Sequence, residues 1–425
     1  MATVNNVTQN NDLILNLTLE HFANSKGILS TIKKNISSDR FARTGGTVSI
    51  RQPQTPTTRN GAEAIFSPIV EQVTSMQVLP LYGSDDTMTD FELTTTMPDE
   101  TYFDEIMRPK VEAIASNINA DIHKMAVASL IRLSGQNQMG AYDVNGVFNV
   151  IGDPTAAITT IDPYFDAGAV LTEEGCKERT DRFIVITPRA QARLASTNST
   201  LFNPQSKVSD YFNRGIVDGM LGGFEFIADD QVPTRTSGIC GAGGAPKVNG
   251  ANQSGTTLVL DGFAANATIN AGDIFTISGV NSVNPVDKSP QTRLHQFRVM
   301  ANATASGGGA VTLTVFPALT VTAPLQNVSA LPVNNADIVF LTGSQATYST
   351  MLAYHREAFE FTTIPLPIAH GTTQQQIATS DKMGLSLRWT RGFDINAGRH
   401  VNRLETQVAY CVKRPERLVG LLTSQ

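Results

Sequence analysis

Between Gln231 and Arg356 the chain contains no glutamate, although glutamate recurs on both sides of this interval. Gly, Asn, Ala, Thr and Val dominate there. Apolar runs return at short intervals as TTLVLDG (256–262), GDIFTISGV (272–280), RLHQFRVMANA (293–303), AVTLTVFPAL (310–319) and ADIVFLTG (336–343). Five short β-prone runs separated by Gly-rich turns predict a small antiparallel barrel or sandwich. Because mixed composition resumes afterwards, residues 234–345 read as an all-β domain inserted into a second fold. Pro233 and Gly343, at the two changes of composition, are expected to lie close together.

The second fold is mixed. From Asp99 to about Ser134, Phe103, Met107, Val111, Ile114, Ile118, Ile122 and Met125 form one apolar stripe at helical spacing. Pro109 is tolerated only in a first turn, so either the helix kinks there or a new one begins near Met107. A shorter stripe, Leu15, Leu19 and Phe22 in DLILNLTLEHF, reads as an amphipathic helix on a polar arm. Its apolar side needs burial against something outside the arm. TVSIRQP follows a Gly-Gly pair and reads as a strand; Gln52 to Gln72, with Pro53, Pro56, Pro68 and Asn60-Gly61, reads as a protruding loop. MQVLPLYG (76–83) and DFELTTT (90–96) predict strands flanking a Ser-Asp-Asp turn. DRFIVITPRAQARLA predicts a strand, an N-cap at Thr187, Pro188 at N1 and a helix.

A chain of 425 residues exceeds the size at which single cores stop growing, so at least two folded units are expected. Charged residues are only 16%, against the roughly 25% usual for soluble domains, which suits a surface buried against neighbours. A net charge of −6 and a pI near 5.6 argue against a protein that grips nucleic-acid phosphates. Cys176, Cys240 and Cys411 are far apart and odd in number, which fits three buried thiols in a reducing compartment. The N-terminus lacks a secretory pattern and no stretch of about 18 apolar residues occurs, so the expectation is a soluble protein made in a cytosol, with no membrane. The eight Asn-Xaa-Ser/Thr triplets then reflect only Asn and Thr richness.

No constellation points to catalysis, a metal or a cofactor. The run GICGAGGAP (238–246) lacks the dinucleotide pattern and reads as a flexible turn, and the six histidines show no metal spacing. His355 reads as a structural hydrogen-bonding residue. Asp85 with Asp86, and Asp229 with Asp230, read as solvated turn carboxylates, because adjacent strand residues point to opposite faces and cannot share a substrate.

Two C-terminal segments carry a resemblance. LAYHREAFEFTTIPL (352–366) and GRHVNRLETQVAYCVKRPERLVGLL (398–422) resemble the closing strands of tailed-bacteriophage capsid proteins. Their order behind a long helix and a Pro/Thr-rich loop resembles the capsid fold named after bacteriophage Hong Kong 97. The insertion resembles that of short-tailed phage coat proteins. The resemblance implies an α+β, Hong Kong 97-like capsid fold with an inserted all-β, barrel-like domain. It implies an N-arm (1–40), a peripheral domain (41–51 and 76–139) with a spine helix (99–134), and an extended E-loop (52–75). It further implies an axial domain (140–233 and 346–382), the inserted domain (234–345) and C-terminal strands returning to the peripheral domain (383–425).

The function so implied is a major capsid protein. Copies of the chain would assemble as pentamers and hexamers, with a scaffolding protein and a portal, into an icosahedral virion shell in the bacterial cytoplasm. The shell would enclose double-stranded DNA without specific binding. Leu15, Leu19, Phe22, Arg51, Arg59, Glu63, Glu71, Arg399 and Arg403 are the candidate subunit-interface residues, the tail arginines pairing across subunits with loop acids such as Glu63 and Glu71. No Lys lies between Lys34 and Lys110, so the loop offers none for a covalent cross-link. The alternatives are a nanocompartment shell protein, and a carbohydrate-binding or adhesin module suggested by the Gly/Asn/Thr-rich strands.

Overall fold

A computed structural model of the chain describes residues 15–20, 22, 27–36, 46–52, 61–63, 73–89, 103–131, 133–134, 157–158, 161–197, 220–368, 374–380 and 384–424. They fall into two compact units, the first drawn from residues 1–51, 73–123 and 359–413 and the second from 52–72, 124–358 and 414–425. The fold is α+β and mostly strand.

The axis of the first unit is the 14-residue strand Arg399–Val412. Its first half pairs with Leu385–Asp394 on one side and Tyr82–Thr89 on the other, and its second half pairs with Phe359–Ile364. The hairpin of Thr47–Arg51 and Val73–Gln77 packs Val48, Ile50 and Met76 against Ala409 and Cys411. Tyr82–Thr89 corrects the sequence expectation, which put a Ser-Asp-Asp turn where the strand runs through. Turn propensity loses here because each carboxylate finds a cation on its own face of the sheet. Asp85 meets Arg403 at 3.2 Å on one face and Asp86 meets Lys110 at 2.7 Å on the other. Both are therefore strand and not turn carboxylates, with Asp85 still more than half exposed. The expected strand at 90–96 lies outside the described residues.

Lys110 belongs to the long helix Arg108–Ser129, which is about 33 Å long at ~1.5 Å per residue. It follows a π-helical turn at Phe103–Met107, so Pro109 falls in its first turn, where the missing N–H costs nothing. Met107, Val111, Ile114, Ile118 and Ile122 are buried as the stripe requires; at the next turn Ala126 is buried and Met125 only partly. Tyr82 Oη donates to Asp121 Oδ2 at 2.9 Å, so polar contacts hold the helix to the sheet at both Lys110 and Asp121.

In the second unit, Arg182–Ile186, Phe224–Ala228, Thr347–His355 and Leu418–Ser424 form a mixed sheet. Asp162–Glu173 packs against two of these strands. The expected N-cap is present, with Ala190 N donating to Thr187 Oγ1 at 3.2 Å. One boundary expectation needs correction. Phe359–Ile364, assigned by sequence to the axial part, joins the first unit because it pairs with Gln407–Val412. Conversely Leu418–Ser424 pairs with Thr347–His355 in the second unit instead of returning to the first.

The Glu-free segment forms a nearly closed barrel. Its strands run in the order Lys247–Val248, Gly255–Asp261, Val311–Leu319, Pro290–Val299, Ile274–Val283 and Ile338–Phe340. The two ends of that order meet through the bridge Lys247↔Asp337 and the bonds Val248 N→Ala336 O and Ile338 N→Pro246 O, both 3.0 Å. Closure removes the exposed edges that a short sheet otherwise presents. Alternate residues Leu258 and Leu260, Leu313 and Val315, Phe275 and Ile277, and Phe297 and Val299 fill the interior, each contributing about 1.5–3 kcal/mol by burial. In the 238–246 run, which the sequence reads as a flexible turn, Gly238 and Gly244 lie close against the backbone at Thr268 and Gly262, where a Cβ would collide.

Gly279 stands at φ +78° in the irregular middle of Ile274–Val283, with open space where a side chain would go. Gly279→Val is therefore expected to destabilise by backbone strain alone, by about 1–2 kcal/mol. A melt of the variant checks this, and an unchanged melting temperature contradicts it.

Candidate functional site: the C-terminal corner and the barrel stem

The two segments quoted from the end of the chain are brought together. Tyr354 stands opposite Leu418, so the turn Arg356–Ala358 and the turn Pro415–Arg417 lie side by side. Arg417 Nη1 donates to Glu357 Oε2 at 2.6 Å, and Arg414 Nη1 lies 3.6 Å from the same oxygen. His355 is buried beneath them. Its Nδ1 accepts from Glu357 N at 3.3 Å and faces Arg417 Nη1 at 3.3 Å, while Nε2 lies 3.4 Å from Glu178 Oε2. Accepting at Nδ1 places the proton on Nε2. Burial, with the Arg417 charge next, holds the imidazole below its ordinary value of 6.5.

A sign follows for stability. The folded His355 resists the proton that the unfolded chain takes up, so its stabilising contribution is present above about pH 6.5 and is lost as pH falls toward the folded value. Urea midpoints at pH 7.5 and 5.5 are expected to fall further in the wild-type protein than in His355→Gln. Equal falls would contradict the assignment.

Arg182, 4% exposed, organises the neighbouring helix end. It donates to Glu178 O (2.8 Å), Gly168 O (3.3 Å), Thr172 Oγ1 (3.1 Å) and Cys176 O (2.6 Å), and its guanidinium stacks on Phe224. It thereby ties the loop Cys176–Glu178 back onto the helix Asp162–Glu173.

The barrel is joined to this sheet by a two-stranded stem. Thr234–Thr236 runs antiparallel to Thr347–Ser349, so the chain leaves and returns on adjacent strands. Ser237 N donates to Ala346 O, and Ala346 N returns a bond to Ser237 Oγ, both at 3.0 Å. A second contact lies away from the stem. Arg293, on the barrel strand Pro290–Val299, reaches Glu174 Oε1 at 2.5 Å and Glu173 Oε2 at 3.4 Å, with Gln291 Nε2 donating to Glu173 O. Stem and brace together fix the barrel at two points on the unit that carries it.

The interface candidates are distributed unevenly. Leu15, Leu19 and Phe22 are buried within the chain itself, at 1%, 4% and 0% exposure, so the expectation that they face another subunit is corrected: the arm's apolar stripe already has cover. Arg51 and Glu63 are exposed; Arg59 and Glu71 lie outside the described residues. Arg399 and Arg403 are exposed but have partners inside the chain. Arg399 Nε stands 3.5 Å from Asp394 Oδ2, and Arg403 meets both Asp85 and Glu405. Arg388 likewise holds Glu405 at 2.5 Å. The tail arginines thus form cross-strand pairs in their own sheet. In-register neighbours on adjacent strands are already at salt-bridge distance.

Among the described residues no group of three His, Cys, Asp or Glu side chains could hold a metal, and no helix is long and apolar enough to cross a membrane. Cys176, Cys240 and Cys411 are buried and unpaired with one another. The polar clusters described above hold one segment of the chain to another. The chain's class is that of the bacteriophage capsid proteins. The family model described as "P22 coat protein - gene protein 5" matches residues 1–423, and the chain belongs to that family.

Among solved structures, the chain is similar to one from Mycobacterium phage Che8, at 11% identity and TM-score 0.42, covering 91% of this chain and 88% of that one. It is similar to one in the capsid of the cyanophage P-SCSP1u, at 11% identity and TM-score 0.41, covering 94% and 89%. The CUS-3 coat protein I-domain is 26% identical over 23% of this chain and 96% of its own, with TM-score 0.18. No curated protein matches. Membership rests on the family match.

Proposed function

We propose that this chain is a major capsid protein whose copies assemble, as pentamers and hexamers, into an icosahedral head enclosing double-stranded DNA. The observation that carries the reading is the family match across residues 1–423. The pairing of the two C-terminal segments that first suggested a capsid protein supports it. In this reading the fold is Hong Kong 97-like. Residues 1–40 act as the N-arm, 52–75 as the E-loop and Arg108–Ser129 as the core of the spine helix, while 234–345 is the inserted domain. Arg51, at the end of the strand before the loop, and Arg59, Glu63 and Glu71 within the loop sequence would meet neighbouring subunits. Capsomers close into rings through heterologous contacts, and a scaffolding protein and a portal direct them in the host cytoplasm.

With a net charge of −6, the shell confines DNA without gripping its phosphates. Light scattering of the purified chain across salt conditions, with and without its scaffolding protein, tests the reading. Growth to closed particles tens of nanometres across is expected. A strictly monomeric species under every condition overturns it.

A further inference from the structure

At the base of the barrel two arginines converge on one carboxylate. Asp273 is fully buried and accepts from Gly238 N (3.1 Å), Asn270 N (2.8 Å), Cys240 Sγ (3.3 Å) and Arg235 Nη2 (3.0 Å). Three of these donors crowd Oδ2, and Arg235 meets Oδ1. Arg235, on the stem, spends its remaining reach on Ala271 O at 2.6 Å. Arg298, on the barrel strand Pro290–Val299, approaches the same place from the other side. A Cβ built on Gly272 would lie 2.9 Å from Arg298 Nη2 and closer still to Arg235 Nη1, so both guanidinium groups gather over that glycine.

Arg298 is 8% exposed, and among the described residues it makes no hydrogen bond or ion pair; its Nε is wholly shielded. The charges around it do not balance. Burial pushes the Cys240 thiol and the Tyr348 phenol upward, so both are neutral, and among the described residues Asp273 is the only anion facing the two cations. Burial, then repulsion from Arg235, pulls Arg298 itself down to about 10. Buried charges are ordinarily paired, and a guanidinium fork matches an oxyanion better than any other partner.

We propose that Arg235 and Arg298 form a binding site for a compact oxyanion that pins the barrel to its stem. Two sources share this chemistry: phosphate free in solution, or the carboxylate of an acidic side chain on a second copy of the chain. The second source rests on the self-assembly proposed above.

The test is titration of the full-length, unassembled chain with inorganic phosphate, against sodium chloride at matched ionic strength, followed by calorimetry and thermal melting. One saturable site is expected. Arg298→Met is expected to weaken it roughly tenfold or more, as loss of a charge-assisted pair does. In the absence of phosphate the same variant is expected to melt no lower than wild type, because it removes a buried cation that has no ion-pair partner among the described residues. Arg298→Lys keeps the charge without the fork and should give an intermediate affinity. A response no greater than that to chloride, a response that survives Arg298→Met, or a variant that melts well below wild type overturns the site. Repeating the titration on assembled shells separates the sources. Retained binding assigns the site to free phosphate, and loss of binding on assembly assigns it to the neighbour's carboxylate.

Discussion

Asp273→Ala is expected to destabilise the barrel by about 3–5 kcal/mol, among the most damaging single truncations available in the second unit. The estimate follows from what the side chain holds. Its removal leaves the half-buried Arg235 guanidinium at the stem without its counter-charge, beside a second cation, Arg298. It also strands the N–H groups of Gly238 and Asn270, the first buried and the second half-buried, without the acceptor they share. Asp273→Asn separates the two effects. The amide oxygen can still accept from backbone N–H, so the loss remaining in Asn measures the charge and the further loss in Ala measures the hydrogen bonds. Chemical unfolding of the full chain, read as the midpoint of the transition reported by barrel residues, gives both numbers. A wild-type midpoint for Asp273→Ala would mean that the stem is held by its strand pairing alone.

The second large effect belongs to the other unit. Glu405 has a side chain only 5% exposed and lies between Arg388 and Arg403, at 2.5 Å and 3.4 Å. Glu405→Ala is expected to cost about 3–5 kcal/mol, because Arg388 is left nearly buried without its partner. Arg403→Ala is expected to cost ~1 kcal/mol or less, since its pair with Asp85 is more than half exposed on both sides and is screened by solvent. The contrast decides whether these arginines serve the subunit or its neighbours. If Arg403→Ala leaves the melt unchanged yet prevents particle formation, Arg403 is an interface residue despite its partner in the chain. If both variants assemble in proportion to their stability, the strand pairs serve the subunit.

Much of the architecture was legible where the physical signal is periodic. Val259, Thr312 and Thr314 alternate with buried Leu258, Leu260, Leu313 and Val315, and a period of two is the mark of a strand with one wet face. The stripe from Met107 to Ile122 was equally plain, and Pro109 left open a kink or a new helix near Met107, of which the structure shows the second. What failed were judgements on isolated polar residues. Asp85 and Asp86 look like a turn, and only the register that sets Asp85 against Arg403 explains why they are not one. The arm's stripe implied a partner, and nothing in DLILNLTLEHF says that the partner is the chain's own body.

The Asp273 cluster had no signal at all. Arg235, Asp273 and Arg298 are far apart in sequence and meet only because the barrel folds back onto its stem. The C-terminal corner was the opposite case. His355 and Arg417 sat in segments already marked by resemblance, although their contact could not be read from either segment alone.

The central claim, that this member of the P22 coat protein family builds a phage head, is tested most directly by negative-stain electron microscopy of the chain co-expressed with its neighbouring genes. The account predicts closed, angular shells of uniform size, with five- and six-fold clusters of subunits and DNA inside the filled particles. Monomers, open aggregates, or shells that enclose protein cargo and no DNA would contradict it.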